Sequence, residues 1–315
     1  MEILLHAVSV NRALLTGSLK LAELPALAVR AGFSGVEWLD RHMPCFDLSK
    51  WQSLADAQKG AGLKHSAMSL SLELTGDKAT SAEQVKRAIK ILELSRVLNV
   101  KAVRVSVGGN GPLSVSRALL FVDRLSSAKR RSLRPLGRAG KAAYLMACLV
   151  MNRKKAVQSS LANPDKLKIA AKLLQPLAKC ASSMGITMGI ENHFGLTTHP
   201  GDLLSLVELT GHNMGVCLDI GNFHHKKECQ KACTMLAPKA VHVHFSTHDP
   251  HPAPKAVKLG YPLALAALRR NGYQGLFSVE YKGGTCNLAG SIAAARLLER
   301  WWPEKGTLLK TAGAV

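Results

Sequence analysis

GITMGIENHFG, residues 185–195, is the stretch whose reading decides the fold. Gly185 ends a helix, a short apolar strand follows, and Glu191, Asn192 and His193 stand where that strand should meet water. Three later stretches repeat the pattern: MGVCLDIGN (214–222), AVHVHFS (240–246) and GLFSVEYKGG (275–284). Each is a short apolar run that ends in an ionisable or metal-capable side chain, namely Asp219, His244 and Glu280. Parallel strands bring their carboxyl ends to one side of a sheet, where α/β ligand sites form. Single acidic or imidazole groups at the same end of successive strands therefore point to one shared site.

Outward from that stretch the chain alternates strand and helix eight times. Strands are expected at 3–8, 35–39, 63–70 and 101–107 in the first half. Helices are expected from Leu19 to Arg30, from Ser49 to Lys59, and from a Ser81/Gln84 capping box to Leu98, with Asn99 as a left-handed stop. In the second half, Asn163 and Pro164 announce a helix to Met184, Pro200 one to Thr210, and Pro262 one to Arg270, with others near 227–236 and 290–302. The successive steps from Glu191 to Asp219, from Asp219 to His244 and from His244 to Glu280 are 28, 25 and 36 residues. An eight-unit barrel of about 250 residues needs roughly 31 per unit. The expected fold is a (β/α)8 barrel, one domain over residues 1–315. A doubly wound open sheet is the weaker alternative, since no glycine-rich phosphate fingerprint follows the first strand.

Residues 112–162 interrupt the alternation and read as a basic helical insertion after the fourth strand. Between Leu113 and Ser160 stand eleven Lys or Arg against Asp123 alone, about half of the net charge of +21. A basic face can serve nucleic acid, an anionic surface or phosphorylated substrates, but this segment lacks the interleaved aromatics of a base-stacking surface. Seven scattered cysteines with no paired CxxC suit a reducing compartment, and Cys229 and Cys233, four apart, read as neighbours on a helix. The N-terminus has no signal-peptide pattern, and no apolar run is long enough to span a membrane. These features make a cytoplasmic protein, without membrane association, the expectation.

Residues two apart on a strand share a face. Glu191, Asp219, His244 and Glu280 thus sit above Gly189, Cys217, His242 and Ser278. Three carboxylates in one pocket repel unless one is protonated or a cation sits among them. Hard oxygen donors with one imidazole suit Mn²⁺ or Mg²⁺, with Co²⁺ or Zn²⁺ as alternatives. Arg104, His193 and Lys282 are further polar candidates, and Glu37 reads either as a site residue or as a structural one low in the barrel.

The set ENH, LDIGN, VHVH and SVEYKG, with GVEWLD on the second strand, resembles the xylose-isomerase-like TIM-barrel superfamily, over about 1–110 and 163–302. That group contains sugar phosphate isomerases and epimerases, ketose epimerases, inosose dehydratases and the endonuclease IV branch. The resemblance implies that Glu191, Asp219, His244 and Glu280 bind one divalent metal, with His242 as the fallback imidazole. It implies that Glu191 and Glu280 also act as acid and base, moving a proton beside a sugar carbonyl through an enediolate. His193, Asn222, Arg104, Lys282 and His242 are then candidates to contact a small carbohydrate substrate. The chain departs from many relatives at Asn222, where they carry His. An endonuclease IV-like nucleic-acid enzyme or binder ranks second, since Arg104 and Asn222 stand where that branch has metal ligands. A non-catalytic barrel subunit is the third reading; lyase or dehydratase chemistry and homo-oligomeric assembly are compatible with the first.

Overall fold

The computed structural model describes residues 1–44, 46–108, 162–223, 225–249, 252–283 and 288–302. Eight parallel strands close in sequence order: β1 Ile3–His6, β2 Gly35–Leu39, β3 Ser66–Ser71, β4 Val100–Ser106, β5 Thr187–Glu191, β6 Met214–Asp219, β7 Ala240–Thr247 and β8 Leu276–Tyr281. The barrel, not the open sheet, is the fold, because β8 pairs back onto β1 through Ile3 and Phe277. The basic insertion falls on residues 112–162, of which 112–161 lie outside the described residues.

The described helices are α1 Asn11–Thr16, α2 Leu24–Arg30, α3 Leu48–Gly60, α4 Lys78–Leu94, α5 Pro164–Ser183, α6 Pro200–Thr210, α7 Lys226–Leu236, α8 Pro252–Leu259, α9 Tyr261–Arg270 and α10 Leu288–Trp301. Several begin where local chemistry dictates. Asn163 caps α5, its side chain accepting the Asp165 N–H, and Pro164 fills the first turn, where a missing N–H costs nothing. Asn99 takes the left-handed conformation, φ 48°, that turns the chain into β4. Two caps differ from expectation. Asp47, not Ser49, caps α3, and Asp77, not Ser81, caps α4; both carboxylates accept first-turn N–H groups. Ser81 lies inside α4 and donates instead to the Glu73 carbonyl. The short helices α1 and α8 were not expected, being too brief to carry a readable period. None of the described helices is long and apolar enough to cross a membrane. Cys229 and Cys233 are buried helix neighbours on α7, sulfurs 3.8 Å apart.

The alternation of each strand separates two cores. Outward-facing Leu5, Trp38, Met68, Val103, Ile190, Leu218, Phe245 and Val279 join the helices in one large apolar cluster. Inward-facing Leu4, Ala67 and Ala102, with Leu276 against them, form a small apolar floor at the amino end of the barrel. Above that floor the interior turns polar, with His6, Glu37, Ser69, Arg104, Glu191, Asp219, His242, His244, Ser278 and Glu280 all buried. Glycines make room within this packed space. A Cβ on Gly189 would lie 2.6 Å from the Cys217 backbone nitrogen, so no side chain fits beneath Glu191.

Gly189→Ala is expected to destabilise the fold by at least about 2 kcal/mol through overpacking, and Asn163→Ala by about 1 kcal/mol through loss of the cap. Thermal melts rank the two, with a shift of roughly 2–4 °C per kcal/mol for a chain this long.

Candidate metal centre at the carboxyl end of the barrel

Register places the donor residues. Asp219 on β6 pairs with His244 on β7, Glu191 on β5 with Cys217 one step below Asp219, and Ser246 on β7 with Glu280 on β8. One donor atom from each of Glu191, Asp219, His244 and Glu280 lies within 4.8 Å of the others, with every one of these residues buried. Two atoms of the set, Glu191 Oε1 and His244 Nδ1, have no hydrogen-bond partner although no solvent reaches them. They stand 3.2 Å apart, and Glu280 Oε2 is 3.9 Å from the same imidazole nitrogen. Apart from each other these two buried atoms have no partner, and a bound cation would satisfy both. The donor set fits a divalent ion.

The imidazole is aimed from below. His244 Nε2 lies 3.1 Å from both oxygens of Glu37, so Nε2 carries the proton toward that carboxylate and Nδ1 is left to face the other donors. Glu37 in turn takes the Ser69 hydroxyl at 2.6 Å and His242 Nε2 at 2.8 Å, with His6 Nε2 at 3.5 Å. Burial alone would raise the Glu37 carboxyl, but the rings of His244, His6 and His242 hold it well below the usual carboxylate range. His6, by contrast, is pushed down to about 4 by its burial. His242 is fully buried beneath the centre rather than at its opening, and its Nδ1 is without a partner. Cys217, beside these rings, is pushed up to about 12 by burial.

Asn192 staples β5 to β6: its Nδ2 donates to the Asp219 carbonyl at 2.8 Å and its Oδ1 accepts the Asp219 N–H at 2.7 Å. The Gly221 N–H donates to Asp219 Oδ1 at 2.8 Å. The Ser246 hydroxyl stands between Asp219 Oδ2, 2.8 Å, and Glu280 Oε2, 2.7 Å.

Two cations flank the donors. Arg104 from β4 pairs with Glu191 Oε2, and Lys282 Nζ lies 2.6 Å from Glu280 Oε2 and 3.6 Å from Asp219 Oδ2. Burial opposes charge on Glu191 and Glu280, yet Arg104 on the first and Lys282 on the second bring both carboxyls well below their ordinary range. Asp219 goes the other way, to about 6, because burial, with Glu280 and Glu191 nearby, outweighs Lys282. Burial also opposes charge on His244, but Cys217, Glu37 and Glu191 raise it well above 6.5.

The remaining candidates lie at the rim. Asn222 donates to the Asn192 carbonyl at 2.9 Å. His193 packs edge-on against Phe194 and is pushed down to about 4 by burial. Both border a cavity of about 420 Å³, walled also by Asn192, Phe223 and Met235, that opens beside the centre and contains none of its four donors. The sequence placed Asn192 at the strand end and Cys217 below Asp219 without giving either a role, and Ser246 was not singled out. Ser246 and Cys217 do lie two residues from a donor on the same face, which is the signal that would have found them.

A sequence model of the family described as xylose isomerase-like TIM barrel matches residues 25–301. No curated protein matches the chain. Among similar solved structures is a D-allulose 3-epimerase from Methylomonas sp., with 14% identity and a TM-score of 0.63, covering 96% of this chain and 98% of that one. Another is a D-psicose 3-epimerase from Clostridium cellulolyticum H10 with D-tagatose, with 12% identity and a TM-score of 0.64, covering 96% and 99%. A third is a xylose isomerase-like TIM barrel protein from Mycobacterium smegmatis in complex with magnesium, with 14% identity and a TM-score of 0.60, covering 89% and 87%.

Two outcomes are expected from titrating a divalent ion into metal-stripped protein. Binding must remove the proton from His244, which Glu37 and Glu191 help hold well above 6.5, and below about pH 6 it must also remove one from Asp219. Affinity should therefore fall about tenfold per pH unit just below neutrality, and more steeply below pH 6. Glu37→Gln should weaken binding by roughly 10–100-fold, because it removes the carboxylate that orients His244; calorimetry reads both.

Proposed function

The chain belongs to the xylose isomerase-like TIM barrel family, and on that footing we propose that it is a sugar isomerase or epimerase working with one divalent ion held by Glu191, Asp219, His244 and Glu280. The observation that carries the reading is the convergence of those four donors within 4.8 Å, two of their buried atoms being without any other partner. Mn²⁺ or Mg²⁺ suits three carboxylates and one imidazole best, and a neighbour of the same fold is in complex with magnesium. The neighbours named as 3-epimerases, one of them with D-tagatose, support a ketose as the substrate class.

When bound, the ion supplies Lewis acidity, polarising a carbonyl and stabilising the negative charge that develops on its oxygen. The protein supplies the proton traffic. Glu191 and Glu280 are both held ionised at neutral pH, the form that accepts a proton. One removes the proton from the carbon beside the carbonyl, giving an enediolate, and later loses it to water; the other takes up a proton from water at the opening and delivers it to the enediolate. Arg104 holds the outer oxygen of Glu191 and leaves Oε1 toward the reacting space. His193, Asn222 and the part-exposed Lys282 offer hydrogen bonds to sugar hydroxyls at the opening. His242 we assign to holding Glu37 in place, since its burial keeps it from substrate.

The net charge of +21 favours a second reading, a nucleic-acid enzyme or binder. Its test is duplex binding with a steep salt dependence.

For the first reading, incubation with Mn²⁺ and a panel of ketoses and inososes in deuterated water should show exchange of the hydrogen next to the carbonyl. EDTA should abolish it, and Glu280→Gln should lower turnover by roughly 10²–10⁴-fold. Exchange with none of the panel, by a protein that binds the ion, would overturn the reading.

A further inference from the structure

Lys282 and Arg104 both neutralise donors of the centre, but they are built differently. Arg104 comes from the middle of β4, is buried, and takes an oxygen of Glu191 other than the orphaned one. Its partnership leaves the donor atom facing the centre free. Lys282 follows the end of β8, with its main-chain N–H held by the Thr247 carbonyl at 2.7 Å. Its Nζ reaches two of the four donor residues at once, 2.6 Å from Glu280 Oε2 and 3.6 Å from Asp219 Oδ2. These are the two oxygens between which the Ser246 hydroxyl stands. The ammonium thus occupies a bridging position between two carboxylates that a divalent ion would also draw together.

An ammonium and a divalent ion sharing the same two carboxylates repel one another strongly inside a barrel, where little water screens them. The lysine has somewhere to go. Its side chain is 25% exposed, against 9% for Arg104, and it is a compact charge on a flexible stem rather than a planar fork fixed by its partner.

We propose that Lys282 is a tethered cation that competes with the divalent ion for Asp219 and Glu280, and so weakens and sets the metal affinity of this centre. Metal-free protein keeps its facing carboxylates neutralised by the ammonium; metal binding releases that ammonium toward the opening. The inference rests on the reading that these four residues hold the ion.

The test is a Mn²⁺ titration of metal-stripped full-length protein, with free Mn²⁺ read by electron paramagnetic resonance, for the parent chain, Lys282→Met and Lys282→Gln. Both variants should bind Mn²⁺ at least about tenfold more tightly than the parent, since the like charge is gone. Their metal-free forms should melt at lower temperature than the parent and gain more from added Mn²⁺. Equal or weaker binding by folded variants, as judged by circular dichroism, overturns the inference while leaving the metal centre standing. Absence of binding in the parent and both variants overturns the inference together with the reading beneath it.

Discussion

The rest of the structure depends on the burial of four carboxylates, Glu37, Glu191, Asp219 and Glu280, inside one closed barrel. Like charges withdrawn from water repel and lose hydration, and such a cluster persists only when each member has a donor or a cation. The interior meets that demand member by member. Glu37 has His242, His244 and Ser69; Glu191 has Arg104; Asp219 has Ser246 and the Gly221 N–H; Glu280 has Ser246 and Lys282. Among the polar atoms left over are one oxygen of Glu191 and one nitrogen of His244, which face each other, besides Arg104 Nε and His242 Nδ1. That remainder is the chemical opening through which a cation enters the account of the molecule.

His244 links the two tiers of this interior. One ring nitrogen belongs to the buried Glu37 network and the other faces the upper carboxylates. Held through Nε2 by Glu37, the ring has its plane set and its Nδ1 aimed at the upper carboxylates, which is how a flexible imidazole becomes a directed donor. The Asn192 bridge to the Asp219 backbone does the same for the main chain, tying the ends of β5 and β6 together. Beneath both, the floor of Leu4, Ala67 and Ala102 ends the polar space. Gly189 beneath Glu191 is a consequence of that crowding, since a Cβ there would lie 2.6 Å from the Cys217 backbone nitrogen.

Much of this could be read along the chain. Short-range signals were dependable where one residue does one job, as with Asn163 and Pro164 at the start of α5 and Asn99 at the entry to β4. They failed where two residues compete for the same job. Asp47 displaced Ser49, and Asp77 displaced Ser81, because a carboxylate two or four residues earlier satisfies the first-turn N–H groups and sets the helix start. The convergence of the four donors was readable because all of them lie at matching positions of consecutive strands, so counting residues substitutes for seeing space.

What could not be read is everything that depends on strands meeting across the barrel. Glu37 sits 205 and 207 residues from the histidines that hold it, and Arg104 sits 87 from Glu191; no local pattern encodes such pairings, and Glu37 alone was compatible with either a structural or a site role. The sequence by itself determined the alternation and pointed to the closed eight-unit fold and to four side chains that converge, because period and spacing are properties of the chain. Only the tertiary structure decided which nitrogen of His244 faces the upper carboxylates, that His242 is engaged by Glu37, and that Lys282 bridges Asp219 and Glu280, because side-chain direction and charge pairing inside a closed sheet are set by neighbours from distant strands.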